Sequence, residues 1–302
     1  MTTSEGYVPM ADGVRLYYQR AGTDARLILL PNGVYLFDDF KHLAQGRSLV
    51  FYDVRNRGRS DTVTDSAGLA RGIHHDVEDF DEVRRHFGAD SVGLIGHSYV
   101  GLTVVLCAMQ YPSLVDSVVQ IGPMGPSQST EYPSHLTNND EVLRDILGRL
   151  ADLEKERPAL DPVRFCEKFW SVLGPLYFAD PADAGKMTWA RCELANERNF
   201  MRSWLAYLLP SIQKLSLTSD DFSRVQARVL TIHGRKDRSS PYGAGREWAL
   251  RLPNARLLTV ERAAHAPWLE APGLVLDALR TFLDGAWPAA AEKVAVLDAS
   301  AR

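Results

Sequence analysis

The chain has 302 residues, of which 45% are hydrophobic and 24% charged, and its formal net charge is −4. This composition supports a full-sized core, and an acidic chain without a Lys/Arg-rich run is not expected to be a general nucleic-acid binder. No stretch approaches the roughly 18 apolar residues of a membrane helix, and residues 1–6 lack the features of a secretory signal. We therefore expect a soluble cytoplasmic protein that binds neither nucleic acid nor membrane; homo-oligomerisation is left open.

The cysteines point to the same compartment. Cys107, Cys166 and Cys192 are odd in number and irregularly spaced, which does not suggest a disulfide framework. We therefore predict free thiols in a reducing environment.

The first part of the chain alternates strand and helix patterns. An Asp-Gly signal at residues 11–13 predicts a hairpin between the first two strands, and residues 72–87 and 99–110 have the patterns of a helix with one apolar face and a buried helix. Further strands are predicted at residues 26–30, 48–52, 91–95 and 115–121. Strands separated by helices predict an α/β fold with a mostly parallel sheet flanked by helices.

The strand rhythm then stops and later resumes. Residues 126–221 contain helical segments rich in aromatic side chains, and strands return after them. We predict a helical cap at 126–221 inserted into a core domain formed by residues 1–125 and 222–285. The alanine-rich residues 286–302 are predicted to be a C-terminal tail of little functional weight.

Residues 94–101, LIGHSYVG, are the most informative segment. An apolar strand leads directly into Ser98, and an apolar helix follows. This is the pattern of a strand–turn–helix elbow that exposes a serine hydroxyl. Because serine is a weak nucleophile, it needs a nearby base and donors for the oxyanion it creates. The alternative interpretation of Ser98 is a helix N-cap.

Two later strands are followed by residues that suit this chemistry. The predicted strand at 229–232 precedes Asp237, and that at 256–260 precedes His265. Strand C-termini of a parallel sheet share one edge, so these side chains can converge with Ser98. We predict acyl transfer to Ser98, with His265 as general base and Asp237 orienting its imidazole.

The order Ser…Asp…His and the elbow resemble the α/β-hydrolase superfamily, and within it the proline iminopeptidase-like serine hydrolases, over residues 7–284. Residues 52–60, YDVRNRGRS, resemble the family loop D-x-R-G-x-G-x-S with asparagine at its first glycine. Residues 31–35, PNGVY, stand where the family has His-Gly-Gly-Pro-Gly. The resemblance implies that the backbone amides of Gly33, or its neighbour Val34, and of Tyr99 hold the oxyanion.

Two further comparisons with the family concern the elbow and the substrate. The family motif G-x-S-x-G has a small residue where this chain has Val100. Residues 189–193, WARCE, resemble the family's W-x-x-W-E segment, whose glutamate binds a free α-amino group. The resemblance implies a substrate site at Trp189 and Glu193, and Glu197, four residues on, would share a helix face with Glu193. The alternative is that both carboxylates pair with nearby basic side chains on a solvated surface.

The resulting hypothesis is a cofactor-free, metal-free serine hydrolase that cleaves a small amide or ester of a small molecule or short peptide, with aminopeptidase activity favoured. The alternatives are a carboxylesterase, lactonase or thioesterase, because the fold hosts many reactions. A ligand-binding member without turnover, and a non-hydrolytic lyase or acyltransferase, also stay open. The acidic and histidine residues at 74–79 lie on a predicted helix and point in several directions, so we predict no metal site there.

Overall fold

The computed structural model describes residues 1–127, 130–189 and 191–298. One eight-stranded sheet has the order β1-β2-β4-β3-β5-β6-β7-β8. The strands are Thr3–Pro9 (β1), Arg15–Ala21 (β2), Leu27–Pro31 (β3), Ser48–Tyr52 (β4), Val92–His97 (β5), Val115–Ile121 (β6), Arg228–Gly234 (β7) and Ala255–Val260 (β8). Strand β2 pairs antiparallel with β1 and β4, and all other pairs are parallel. The mostly parallel α/β sheet predicted from the sequence is confirmed.

Helices cover both faces of this sheet. They are Phe37–Phe40 (α1), Ser66–Ala70 (α2), Ile73–His86 (α3), Tyr99–Gln110 (α4), Glu141–Glu156 (α5), Pro162–Leu173 (α6), Ala195–Ser203 (α7), Leu209–Gln213 (α8), Ser219–Ser223 (α9), Tyr242–Arg251 (α10), Pro267–Glu270 (α11) and Pro272–Leu283 (α12). Every residue of β3, β4 and β5 is buried, as expected for central strands with helices on both sides. One apolar cluster packs α3 and α4 against one face, and a second packs α1 and α12 against the other.

The described part of the segment between β6 and β7 consists of helices joined by turns and loops, without a strand. It contains α5 to α9 and a π-helical turn at Trp204–Leu208. Helices α5 and α6 are each capped by an aspartate, Asp140 or Asp161, whose side chain accepts hydrogen bonds from the first turn, and such caps fix where a helix begins. These helices lie at the carboxyl edge of the sheet, above the ends of β5 and β7.

The C-terminal segment is packed against the core over its described part, residues 286–298. The backbone of Glu292 exchanges two hydrogen bonds of 2.9 Å with Leu257 on β8, and the Arg246 guanidinium donates to the carbonyls of Val296 and Leu297. Because β8 is an edge strand with unpaired backbone groups, the segment satisfies part of that edge. The described part of the predicted C-terminal tail is thus packed along β8.

The prediction of free thiols is wrong for two of the three cysteines. Cys166 on α6 and Cys192 form a disulfide with a Cα–Cα distance of 5.7 Å, and Cys107 is free and buried. Sequence separation gave no sign of this bond because the two residues are brought together only by the packing of the inserted segment. The disulfide also removes the basis for predicting a reducing compartment.

Reduction of this disulfide is expected to destabilise the protein. The bond closes a segment of 26 residues, and constraining a loop of that length in the unfolded chain is worth about 3 kcal/mol. Thermal melting with and without dithiothreitol measures the loss as a lower Tm. A Cys192→Ser variant should melt early in both conditions. An equal effect of the reductant on wild type and variant would contradict the prediction.

Candidate active site

The turn after β5 holds Ser98 in a conformation that side chains seldom adopt. Ser98 has φ 62° and ψ −127°, and it is tied to the neighbouring strand by a hydrogen bond of 2.9 Å from its amide to the Ile121 carbonyl. A Cβ atom on Gly96 would lie 2.3 Å from the Val100 carbonyl oxygen, so only glycine permits strand and helix to approach this closely. Such strain is characteristic of functional turns.

The valine that replaces the family's second small residue is accommodated. Val100 is buried in the core beside α3 and α4. The close approach occurs instead at Gly101, where an added Cβ would lie 2.9 Å from Pro123. Val100 therefore does not prevent the strand–turn–helix elbow from closing.

Asp237 and His265 meet at the same edge of the sheet. His265 Nδ1 lies 2.7 Å from Asp237 Oδ2, and both side chains are fully buried. The other carboxylate oxygen accepts from the amides of Ser239 and Ser240 at 2.8 and 2.9 Å. Burial alone would raise the pKa of Asp237, but the adjacent His265 and the hydrogen bonds of two imidazoles lower that pKa well below its usual value. The carboxylate thus stays ionised.

The remaining ring nitrogen of His265 is unpaired among the residues that the structure describes. Its Nε2 is buried and makes no hydrogen bond with a residue that the structure describes. The ring lies 4.6 Å from that of His97, which precedes Ser98. His97 Nε2 is 3.0 Å from the His265 carbonyl oxygen, so it carries the hydrogen, and its Nδ1 accepts from the Tyr35 hydroxyl at 2.9 Å. His97 therefore links the Ser98 turn to the His265 turn.

The structure corrects one of the two predicted oxyanion donors. The Gly33 amide donates to the carbonyls of Leu30 and Tyr52 at 3.1 and 3.3 Å, so it cannot also hold an oxyanion. Val34 begins a short 3₁₀ helix and Tyr99 begins α4. First-turn amides lack intrahelical partners, and neither amide donates to any described residue. Of the amides that the resemblance names, those of Val34 and Tyr99 are therefore without a partner among the described residues, and that of Gly33 is not.

Ser98 opens into a cavity of about 300 Å³, called the main cavity below. It is walled mainly by aromatic side chains from both the sheet edge and the inserted helices. These are Tyr35, Tyr99, Phe169, Trp170, Tyr177, Trp189, Phe200 and Trp204. A concave, largely apolar site with a few polar groups is the usual form of a small-molecule site.

A sequence model of the alpha/beta hydrolase fold family matches residues 30–272. The chain belongs to this family. The match spans Ser98, Asp237 and His265 and confirms the resemblance seen in the sequence at the level of the superfamily.

The names of similar proteins refer to different substrates. This α/β-hydrolase is 29% identical to a proline iminopeptidase of Saccharolobus solfataricus over 128 residues. The matched stretch covers 39% of this chain and 40% of that protein. A proline iminopeptidase of Clostridioides difficile is 23% identical over 291 residues, 89% of this chain and 94% of that protein. The structure of an esterase from Exiguobacterium antarcticum has a TM-score of 0.69 at 16% identity, covering 93% and 100% of the two chains. That structure shows the shared fold alone.

The structure separates the predicted substrate-binding residues of this α/β-hydrolase. Trp189 lines the main cavity, 5.1 Å from the ring of Tyr35. Glu197 also lines it and is buried. Glu193 does not line the cavity; its side chain is 59% exposed and pairs with Arg191 at 2.6 Å. The amine-binding role predicted for Glu193 is therefore not supported, because Glu193 lies in the turn before α7 and its carboxylate faces solvent.

Arg57 is the residue of the site that the sequence analysis did not single out. Its guanidinium makes two hydrogen bonds to Glu197, at 2.9 and 3.1 Å, and lies 3.7 Å from the Phe200 ring centroid. Burial would raise the pKa of Glu197, but Arg57 lowers it overall. Asn56 has φ 60°, a conformation asparagine tolerates better than most residues, so the family loop keeps its shape without its first glycine. The sequence feature that points to Arg57 is its position within residues 52–60, the loop that resembles the family motif.

Among the residues that the structure describes, none forms a helix long and apolar enough to cross a membrane. The same residues contain no group of three or more histidine, cysteine, aspartate and glutamate side chains placed to hold a metal ion.

Proposed function

We propose that the protein is a serine hydrolase that cleaves a small ester or amide through an acyl-enzyme on Ser98. The observation that carries this proposal is the buried 2.7 Å contact between His265 and Asp237, placed at the sheet edge where Ser98 enters the main cavity. A histidine held at Nδ1 by a carboxylate presents Nε2 as a base.

In the proposed reaction the Ser98 hydroxyl oxygen forms a bond to the substrate carbonyl carbon, and His265 Nε2 takes its proton. The amides of Val34 and Tyr99 stabilise the negative oxygen that results. His265 then gives the proton to the leaving alcohol or amine as the bond to it breaks. Water attacks the acyl-enzyme by the same route and releases the acid and free Ser98.

The walls of the main cavity favour an uncharged, apolar acyl group. The carboxylate of Glu197 is already neutralised by Arg57 and by the Gly58 amide at 2.7 Å, and Glu193 is outside. Helices α6 and α7 supply Phe169, Trp170 and Phe200 to the walls. We infer that these inserted helices act as the cap predicted from the sequence and set which acyl groups fit.

Hydrolysis of a short-chain aryl ester and of a prolyl arylamide tests the proposal. Ser98→Ala is expected to lower kcat by at least about 10⁴-fold on any substrate the wild type cleaves. Ser239→Ala is the matched control, because Ser239 also lines the cavity and contacts Asp237 only through its backbone amide. A fluorophosphonate should label wild type and Ser239→Ala but not Ser98→Ala. Labelling that survives in Ser98→Ala would overturn the proposal.

An aminopeptidase is the second candidate. The names of two relatives favour it, and so does the presence of the Glu197 carboxylate, beside that of Asp53, in the cavity wall. This candidate predicts that Glu197→Gln raises KM for a prolyl arylamide about tenfold while KM for a neutral ester stays the same. Glu193→Gln is the matched control and should change neither. Equal effects of Glu197→Gln on both substrates would assign Glu197 a structural role with Arg57 instead.

A further inference from the structure

Two imidazoles share one oxygen of the Asp237 carboxylate. His265 Nδ1 lies 2.7 Å from Oδ2, and His233 Nε2 lies 3.2 Å from the same atom. All three side chains are fully buried. With the two amides on Oδ1, the carboxylate has four N–H groups around it, more than a histidine-orienting role requires.

The second contact of His233 fixes which of its nitrogens carries the hydrogen. Nε2 is also 3.2 Å from the Ser240 carbonyl oxygen. A carbonyl and a carboxylate both only accept hydrogen bonds, so Nε2 must be the donor to both. Nδ1 has no partner among the described residues, consistent with a bare lone pair in an apolar setting. His233 thus donates its Nε2–H to the carbonyl of Ser240, a residue of the loop that carries Asp237, and the same nitrogen lies 3.2 Å from Asp237 Oδ2.

The surroundings hold the His233 ring in this position. A Cβ atom on Gly245 of α10 would lie 2.3 Å from His233 Nδ1, so the helix backbone is packed directly against the ring. Tyr242 contacts the ring edge-on at 5.8 Å. On the far side of the loop, the Ser240 hydroxyl donates to the Pro123 carbonyl at 2.5 Å. Ser240 therefore anchors the loop both to His233 on β7 and to Pro123, which follows β6.

We propose that His233 is a positioning residue that orients the Asp237 carboxylate toward His265 and fixes the loop that carries it. This inference rests on the proposed function, since it assigns His233 a part in the same reaction. Supporting side chains that hold reactive groups within a fraction of an ångström raise catalytic efficiency without touching the substrate. The contacts of His233 with Asp237 and Ser240 place its ring beside the carboxylate and the loop that carries it.

Steady-state kinetics test the role with paired variants. His233→Met removes the donor at similar size and is expected to lower kcat about tenfold with KM unchanged. His233→Gln keeps an N–H at a similar reach from β7 and should restore most of kcat. Tyr242→Phe is the control, because its hydroxyl contacts Thr259 rather than Asp237. A folded His233→Met variant with wild-type kcat, or loss in both variants alike, would overturn the proposal.

A spectroscopic measurement tests the same contact without activity. In wild-type protein labelled with ¹⁵N-histidine, His233 should be protonated at Nε2 and bare at Nδ1. The proton that His265 donates to Asp237 should resonate further downfield in His233→Met than in wild type or His233→Gln, because the carboxylate oxygen is then no longer shared. A His233 protonated at Nδ1 would overturn the inference. If wild type proves inactive but these signals are found, the proposed function fails while the contact stands.

Discussion

Asp237→Asn is expected to lower kcat about 10⁴-fold with little change in KM. The loop decides which way the asparagine faces, because the amides of Ser239 and Ser240 need an oxygen acceptor at the position of Oδ1. The amide nitrogen then replaces Oδ2 and directs N–H toward His265 Nδ1. That ring nitrogen must become the acceptor, so the hydrogen moves to Nε2. His265 can then no longer take the proton of Ser98.

Kinetics on the substrate found with the wild type measure this effect, and circular dichroism checks that the variant is folded. Asp90→Asn is a suitable control, since Asp90 is exposed and far along the chain from the site. The rate of fluorophosphonate labelling should fall in parallel with kcat. An Asp237→Asn enzyme that retains more than a tenth of the wild-type kcat would contradict the assignment of His265 as base.

The fold and the placement of Ser98, Asp237 and His265 were predictable because they depend on local patterns. Alternating strand and helix periodicity determines a parallel sheet, and a parallel sheet collects the residues that follow its strands at one edge. Chain order then predicts that the three residues share that edge, and the structure shows a direct contact between two of them, Asp237 and His265. The Asp-Gly hairpin was predictable for a similar reason, since the two-residue signal and the pairing of β1 with β2 are adjacent in sequence.

The rest depends on directions and partners that periodicity does not contain. The spacing of Glu193 and Glu197 predicts one shared helix face, yet α7 begins only at Ala195, so Glu193 stays in the exposed turn before it while Glu197 on the helix contacts Arg57. The disulfide joins Cys166 and Cys192 through the packing of the inserted segment. Backbone hydrogen bonds likewise decide that the Gly33 amide is occupied while the Val34 amide is not. Gly33 donates to Leu30 on β3 and to Tyr52 on β4.

Asp76 on α3 is a buried carboxyl group without a hydrogen-bonding partner among the described residues. It borders a second cavity of about 60 Å³ that shares Arg57, Tyr99 and Trp204 with the main one. Burial, and after it the charge of Asp79, raise the pKa of Asp76 to about 8. A buried carboxylate without a direct partner is costly, so the folded protein keeps the proton.

The free energy of unfolding depends on pH because the pKa of Asp76 is about 8 in the folded state and about 4 in the unfolded state. Between about pH 4 and pH 8 the folded state holds a proton on Asp76 that the unfolded state releases, so the free energy of unfolding falls as the pH rises through this range. Asp76→Asn imitates the protonated group and removes this loss. The variant should match wild type near pH 4 and exceed its stability at pH 8 by on the order of 5 kcal/mol.

Urea unfolding of wild type and Asp76→Asn at pH 5, 6.5 and 8 measures this difference, and the other titrating groups largely cancel between the two proteins. Asp90→Asn serves again as the control and should follow the wild-type curve at every pH. Parallel curves for wild type and Asp76→Asn would mean that Asp76 is ionised in the folded protein. A stability difference that widens with pH would show instead that Asp76 is protonated in the folded protein. It borders the same cavity as Tyr99, the proposed oxyanion donor at the start of α4.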